Sequence, residues 1–315
     1  MKKCNEKLLI FDTDVGTDDA LAMLLAASEK LYPDYLIAAP GNARADQAVI
    51  NANILKRYCG MKKTLVVSGL EPAERASGEK NTFHGNDGLA DIAADLAAAS
   101  GLDEKALTAH ISFEAMCEAL EKADEITYIA TGPVTNLAAL SENEAVRGKI
   151  KSVYLMGGGL REFNCSHQTE FNFSKNPEAV GKVLSSGLPI TLFPLDLTNH
   201  QRVDGNQIDE LEKTGKYPEY ITFLRFNLKA NTAYNGIPAA VPHDCLPVLY
   251  AAESEAFTVE EKKLAGDSFG AIRECAGGTP VRVAVGVKED LLFRSLKEAF
   301  DSEITINNGI KGEKS

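Results

Sequence analysis

Apolar residues in this chain fall into short runs that alternate with longer stretches of helical spacing. The runs at Leu8 to Phe11, Tyr35 to Pro40, Thr64 to Ser68, Ile126 to Ala130, Val153 to Met156, Pro189 to Pro194 and Val281 to Val287 have the length of buried strands. Between them, helical spacing covers Ala20 to Ala27, Ala45 to Cys59, Gly88 to Ala98, Ile111 to Lys122, Cys245 to Ala252 and Asp290 to Phe300. Another helix is expected after Thr131-Gly132-Pro133, with Pro133 in its first turn. Residues 200–240 are less regular, with two helical stretches and a Gly/Pro/Asn-rich turn from Tyr234 to Pro238. No internal repeat, linker or low-complexity tract interrupts the alternation. The pattern predicts an α/β protein: a single open, mostly parallel sheet with helices on both faces. Residues 1–306 read as one domain and 307–315 as a polar, frayed C-terminal tail.

Several apolar runs end in polar chemistry. The densest case is residues 8–27, LLIFDTDVGTDDALAMLLAA, where Asp12, Asp14, Asp18 and Asp19 separate a strand from a helix. Asp12 and Asp14 share a strand parity, so both can face one side. Asp18 and Asp19 fall in the first helical turn, where the macrodipole favours negative charge, and Gly16 permits a sharp turn between the pairs. One such Asp is ordinarily a cap; four in this frame repel one another unless a cation or polar partners compensate. Oxygen ligands without Cys or His suit a hard cation, Ca²⁺ or Mg²⁺. A strand running into the cluster places it at a carboxyl end of the sheet, where open α/β folds bind ligands.

Other junctions are weaker by themselves. Asn42 follows Pro40-Gly41 at a strand-to-helix turn, where its plain reading is a turn residue. His84 reads equally as a site residue or as helix entry, with Asp87 capping Gly88 to Ala98. Gly157-Gly158-Gly159 lacks the spacing of a dinucleotide fingerprint and suggests backbone approaching a ligand. Asp196 stands at another strand end, and His243-Asp244 opens an apolar helix, where such a pair is ordinarily a cap.

Composition narrows the partners. A formal net charge of −12 argues against nucleic acid and against an anionic membrane surface, and no apolar run is long enough to span a bilayer. The six cysteines (Cys4, Cys59, Cys117, Cys165, Cys245, Cys275) form no CxxC pair, which points to free thiols in a reducing cytoplasm.

DTDVGTDDALA resembles the N-terminal signature of the nucleoside hydrolases, the inosine–uridine-preferring nucleoside N-ribohydrolases, with Val15 where that family usually has Pro. Further stretches resemble the family in order and spacing: Gly41-Asn42, the hexapeptide His84 to Leu89, Thr131 to Asn136, Asn164 with Glu170-Phe171-Asn172, and His243-Asp244. Asn176-Pro177-Glu178-Ala179 departs from the family's Asp-Pro-Glu-Ala by one amide. The resemblance runs from Leu8 to about Phe300 and implies the Rossmann-like nucleoside hydrolase fold. It implies Ca²⁺ held by Asp14, Asp19, Asp244 and the Thr131 carbonyl, with Asp14 as general base. It further implies ribose contacts from Asp18, Asn42, Asn164, Glu170 and Asn172, and a base contact from His84. His243 is the best candidate to protonate the leaving base. The expected reaction is hydrolysis of small-molecule ribonucleosides for salvage, in a cytoplasmic homodimer or homotetramer. Two rival readings are a haloacid-dehalogenase-like phosphatase, whose hhhDxDGT motif would need Val15 as an insertion, and a non-catalytic ribose- or nucleoside-binding relative.

Overall fold

The computed structural model describes residues 6–71 and 82–304; the expected tail 307–315 lies outside them. Among the described residues nine strands form one sheet: β1 (Lys7–Thr13), β2 (Tyr35–Ala38), β3 (Leu65–Ser68), β4 (Glu125–Ala130), β5 (Ile150–Met156), β6 (Ile190–Phe193), β7 (Phe257–Gly266), β8 (Ile272–Glu274) and β9 (Thr279–Val287). Their spatial order is β3-β2-β1-β4-β5-β6-β9-β7-β8. Every pairing from β3 across to β9 is parallel, and β7 pairs antiparallel with both β9 and β8. The expected open, mostly parallel sheet is what the chain forms.

Strand alternation divides the core into two layers. Phe11 and Ile129 face one layer with the buried helix Thr17–Ser28, while Ile10, Tyr128 and Ala130 face the other with the helices Phe113–Leu120 and Pro177–Ser185. Covering both faces explains why the central strands read as continuous apolar runs. Chain order moves from β1 outward to β3 and then returns to β4 on the other side of β1. That reversal opens a crevice beyond the carboxyl ends of β1 and β4.

Four local expectations change. The helix expected from Gly88 begins at Ala93, because Ala90 and Asp91 adopt left-handed φ of 59° and 63°. The Asp87 carboxylate instead accepts the amides of Leu89, Asp91 and Ala93. Pro133 precedes its helix, which runs Thr135–Glu142. Tyr234 belongs to the long helix Pro218–Asn235 rather than to the turn after it, which Gly236 makes at φ 67°. Finally, β7 and β8 were not expected. Their residues are mostly exposed and nearly half are charged, so they carry little apolar signal.

Candidate active site

Asp12, at the end of β1, is fully buried and accepts hydrogen bonds from Tyr128 Oη (2.6 Å) and Asn136 Nδ2 (3.0 Å). Burial nevertheless raises its pKa to about 7. It lies beneath the site and ties β1 to β4 and to the helix Thr135–Glu142. Asp14, one strand repeat later, is bound by Asn42 through both the backbone amide (2.8 Å) and Nδ2 (2.9 Å). A Cβ at Gly41 would fall on the Asp14 carboxylate, so this approach requires glycine.

The turn between Asp14 and the helix is held by Asp19. Its carboxylate accepts from Thr13 Oγ1 (2.6 Å), Thr131 Oγ1 (2.6 Å) and the Gly16 amide (2.7 Å). Val15 sits at φ 57°, a conformation proline cannot adopt, and its N–H donates to Thr13 Oγ1 at 3.1 Å. A proline here could neither adopt this φ nor make this bond, and the valine removes no carboxylate.

Asp18, Asp19 and Asp244 each present a carboxylate oxygen within 4.8 Å of the others, and all three are buried. Asp14 touches this group through Asp19. Burial, and in all but Asp18 the neighbouring charges after it, pushes Asp14, Asp18, Asp19 and Asp244 above the usual carboxylate range. Asp18 Oδ1 is buried without a hydrogen-bond partner. Asp244 occupies the N-cap position of the helix Cys245–Ala252 but makes no side-chain cap bond, so capping does not explain it. An orphaned carboxylate oxygen within a buried, all-oxygen cluster fits a hard divalent cation.

On the β4–β5 side, Asn172 Nδ2 donates to the Thr131 carbonyl at 2.7 Å. Glu170 accepts the amides of Asn172, Phe173 and Gly158, and burial lifts its pKa to about 7. Asn164 Oδ1 accepts the Phe171 amide at 2.9 Å. The glycine run is explained here. A Cβ at Gly157, whose φ is 155°, would strike the Phe173 ring, so the glycines make room for a side chain that the Glu170 cap positions.

The two histidines differ in state. Thr17 N–H donates to His84 Nδ1 at 3.2 Å, so Nδ1 is an acceptor and the proton lies on Nε2. Burial lowers the His84 pKa to about 4. Its Nδ1 lies 3.5 Å from Asp18 Oδ1, yet a neutral ring with a lone pair there makes no ion pair. His243 is part-buried with Nδ1 2.8 Å from Thr198 Oγ1. Burial lowers its pKa while the charge of Asp18 opposes the shift. His84 is thus a fixed neutral donor, whereas at His243 the Asp18 charge works against the effect of burial.

A cleft of about 1040 Å³ opens over these groups, lined among others by Asp14, Asp18, Asn42, His84, Thr131, Asn164, Glu170, Asn172, His243 and Asp244. Asp19 lies just beneath, against Thr131. The residues expected to hold metal, ribose and base therefore converge on one place. Sequence reasoning missed Phe83, which contacts both the His84 and Tyr234 rings, and the stacked pair His167–Phe269, with ring centroids 4.1 Å apart. No motif marks them; only exposure of aromatic groups at the cleft reveals them. Asp196, also at a strand end, instead accepts the Leu160 and Arg161 amides outside this cleft.

Fold and site together define an α/β protein whose cleft opens at the carboxyl edge of a parallel sheet over buried carboxylates, the place where such folds bind ligands. The family model described as inosine-uridine preferring nucleoside hydrolase matches residues 9–294, and the chain belongs to that family. It is a ribonucleoside hydrolase, an N-glycosidase. It is 29% identical to a pyrimidine-specific ribonucleoside hydrolase, RihA, of Photobacterium profundum, over 79% of this chain and 81% of the relative. It is 27% identical to the non-specific ribonucleoside hydrolase RihC of Escherichia coli over 87% of each. The fold is shared with a purine-preferring ribonucleoside hydrolase from Gardnerella vaginalis (TM-score 0.81, 23% identity, 94% of this chain and 98% of that one). It is also shared with the plant nucleoside hydrolase PpNRh1 (TM-score 0.83, 24% identity, 94% and 99%).

Proposed function

We propose that the chain hydrolyses ribonucleosides to free base and ribose with Ca²⁺ bound by Asp14, Asp19, Asp244 and the Thr131 carbonyl. The observation that carries this reading is the buried carboxylate cluster with Asp18 Oδ1 left unpartnered at the cleft. When bound, the ion supplies positive charge to the carboxylates, contact for vicinal hydroxyls and acidification of a water molecule. Asp14, fixed by its two bonds from Asn42, takes the proton of the attacking water. Asp18, Asn42, Asn164, Glu170 and Asn172 orient the ribose. A ribose that lacks a hydroxyl leaves such buried groups unpaired, which is how the site selects ribonucleosides. His243 delivers a proton to the departing base, and His84 donates Nε2–H toward it.

The described strands all join one sheet, which supports 1–306 as one domain. Among the described residues no helix is long and apolar enough to cross a membrane, and Cys59, Cys117, Cys165, Cys245 and Cys275 are free thiols. Both features support placement in a reducing cytoplasm, where nucleoside salvage operates; a homodimer or homotetramer is the expected assembly. The relatives differ in stated base preference, so a panel is the right test. Purified protein is incubated with uridine, cytidine, inosine and adenosine, and reducing sugar is measured with and without chelator. Ribose release lost on chelation and restored by Ca²⁺ supports the reading; release of phosphate from phosphorylated substrates without ribose release overturns it.

A further inference from the structure

We propose that Thr198 is a positioning residue for the reaction: its hydroxyl holds the His243 ring so that Nε2, not Nδ1, gives a proton to the departing base. This rests on the preceding reading, in which His243 is the proton donor. The His243 ring lines the cleft, and its Nδ1 lies 2.8 Å from Thr198 Oγ1. No other side chain among the described residues hydrogen-bonds that ring. Thr198 is fully buried, and its hydroxyl bonds nothing else among the described residues. A buried hydroxyl spent on one ring nitrogen leaves only the other nitrogen for a ligand.

The threonine is itself fixed by its surroundings. It ends the short helix Leu195–Thr198, directly after β6, and its amide donates to the Pro194 carbonyl at 3.1 Å. The Leu195 amide donates to the Gly158 carbonyl (3.0 Å), and Asp196 accepts the Leu160 and Arg161 amides (2.6 and 2.9 Å). Asn199 Nδ2 donates to Glu162 Oε2 (2.6 Å), while His200 Nε2 lies 2.8 Å from Glu162 Oε1. These bonds tie the turn after β6 to the loop after β5, which accounts for the carboxylate at that strand end. Asp196 anchors the threonine. In the reaction the bond from the base nitrogen to C1′ breaks, its electron pair stays on the base, and the Nε2 proton moves to the base. With the ring protonated, Nδ1–H donates to Thr198 Oγ1, and this bond survives the transfer because Nδ1 keeps its proton. The attacking water supplies the oxygen at C1′ and gives a proton to Asp14. Release of that proton balances the one His243 regains, so one water is consumed.

The test measures kcat and KM for inosine and for a nitrophenyl riboside on wild-type protein, Thr198→Val, Thr198→Ala and Thr198→Ser. Without the hydroxyl, kcat on inosine should fall about tenfold in the Val and Ala variants alike. KM, bound metal and the rate on the nitrophenyl riboside, whose leaving group needs no proton, should stay within about twofold of wild type. Thr198→Ser should recover most of the inosine rate. Val and Ala differ in volume, so an effect of packing would separate them. Adding Thr198→Val to His243→Ala should slow inosine no further, because the hydroxyl acts only through the ring. Unchanged inosine turnover without the hydroxyl, no recovery with Ser, or equal losses on both substrates overturns the inference alone, provided that His243→Ala slows inosine selectively. If His243→Ala slows both substrates equally, the reading beneath it falls.

Discussion

The floor of the cleft and its rim are built by different means. On the floor, Asp14, Asp19 and Asp244 are 1%, 0% and 4% exposed, and each follows directly from a strand end or opens a helix. On the rim, Tyr234 is 66% and Phe269 50% exposed, at a helix end and in a loop. Asp14 and Asp19 are held by hydrogen bonds that a small displacement would leave unsatisfied, whereas rim groups are held by ring contacts that tolerate movement. On the proposed reading, bond cleavage falls to the fixed carboxylates of the floor and recognition of the base to the rim, which can vary without disturbing them.

The strongest way to break the floor is Asp14→Asn. It keeps shape but removes the proton acceptor, and kcat on the best nucleoside should fall by about 10²–10⁴-fold. Near-normal turnover with metal content intact would move the base elsewhere, Asp18 being next.

His243 belongs to floor and rim alike, because it adjoins Asp244 while its ring lines the cleft. If it protonates the leaving base, His243→Ala should slow inosine about 10²-fold while a nitrophenyl riboside, with its good leaving group, keeps most of its rate. Equal losses on both substrates, with less bound metal, would show that His243 only positions Asp244.

Much of the floor was legible because it is local. Asp12 to Asp19 occupy one strand, one turn and one helix start, so parity and the turn at Gly16 already bring the carboxylates together. The helix Cys245–Ala252 was legible from its apolar run, but only packing shows that Asp244 caps nothing and joins Asp18 and Asp19. The bond from Asn172 to the Thr131 carbonyl spans 41 positions and no spacing announces it. Left-handed residues at Ala90 and Asp91 hid the true start of the helix Ala93–Ser100, since alanine does not signal positive φ and a lone Asp does so only weakly. The β7–β8 hairpin was hidden because Glu260, Glu261, Lys262 and Lys263 make its strand look like a charged loop.

Stability should report the floor's charge. Raised acid pKa values mean that folding takes up protons on these groups. Their contribution is full below the unfolded values, 3.8 for Asp12 and 4.5 for Glu170, and is lost as pH rises through the raised values, about 7 for each. His84, lowered to about 4 from 6.5, acts oppositely, its contribution being lost as pH falls through that window. Above 6.5 the acids alone tilt the curve, so the chelated protein should lose urea resistance between pH 6.5 and about 8. Ca²⁺ at roughly 100 times its Kd should restore about 2.7 kcal/mol. Equal urea midpoints with and without Ca²⁺ would mean that the cluster does not hold it.

The smallest effect is expected at the rim. The Tyr234 ring lies 6.1 Å from Phe83, and its hydroxyl is 3.3 Å from Thr82 Oγ1, an exposed contact of little stabilising value. Removing the ring by Tyr234→Ala leaves every floor hydrogen bond in place, so folding, metal content and the rate on a nitrophenyl riboside should be unchanged. What should change is discrimination among bases. An aromatic contact beyond area burial contributes about 0.5–1.5 kcal/mol, which corresponds to a few-fold to about tenfold rise in KM for the base that uses it. The rise should differ between purine and pyrimidine nucleosides, because rings of different size cover different parts of the Phe83–Tyr234 pair. A uniform fall in kcat across the panel would contradict the division itself, since it would mean that the rim positions the floor; a selective rise in KM would confine Tyr234 to choosing the base.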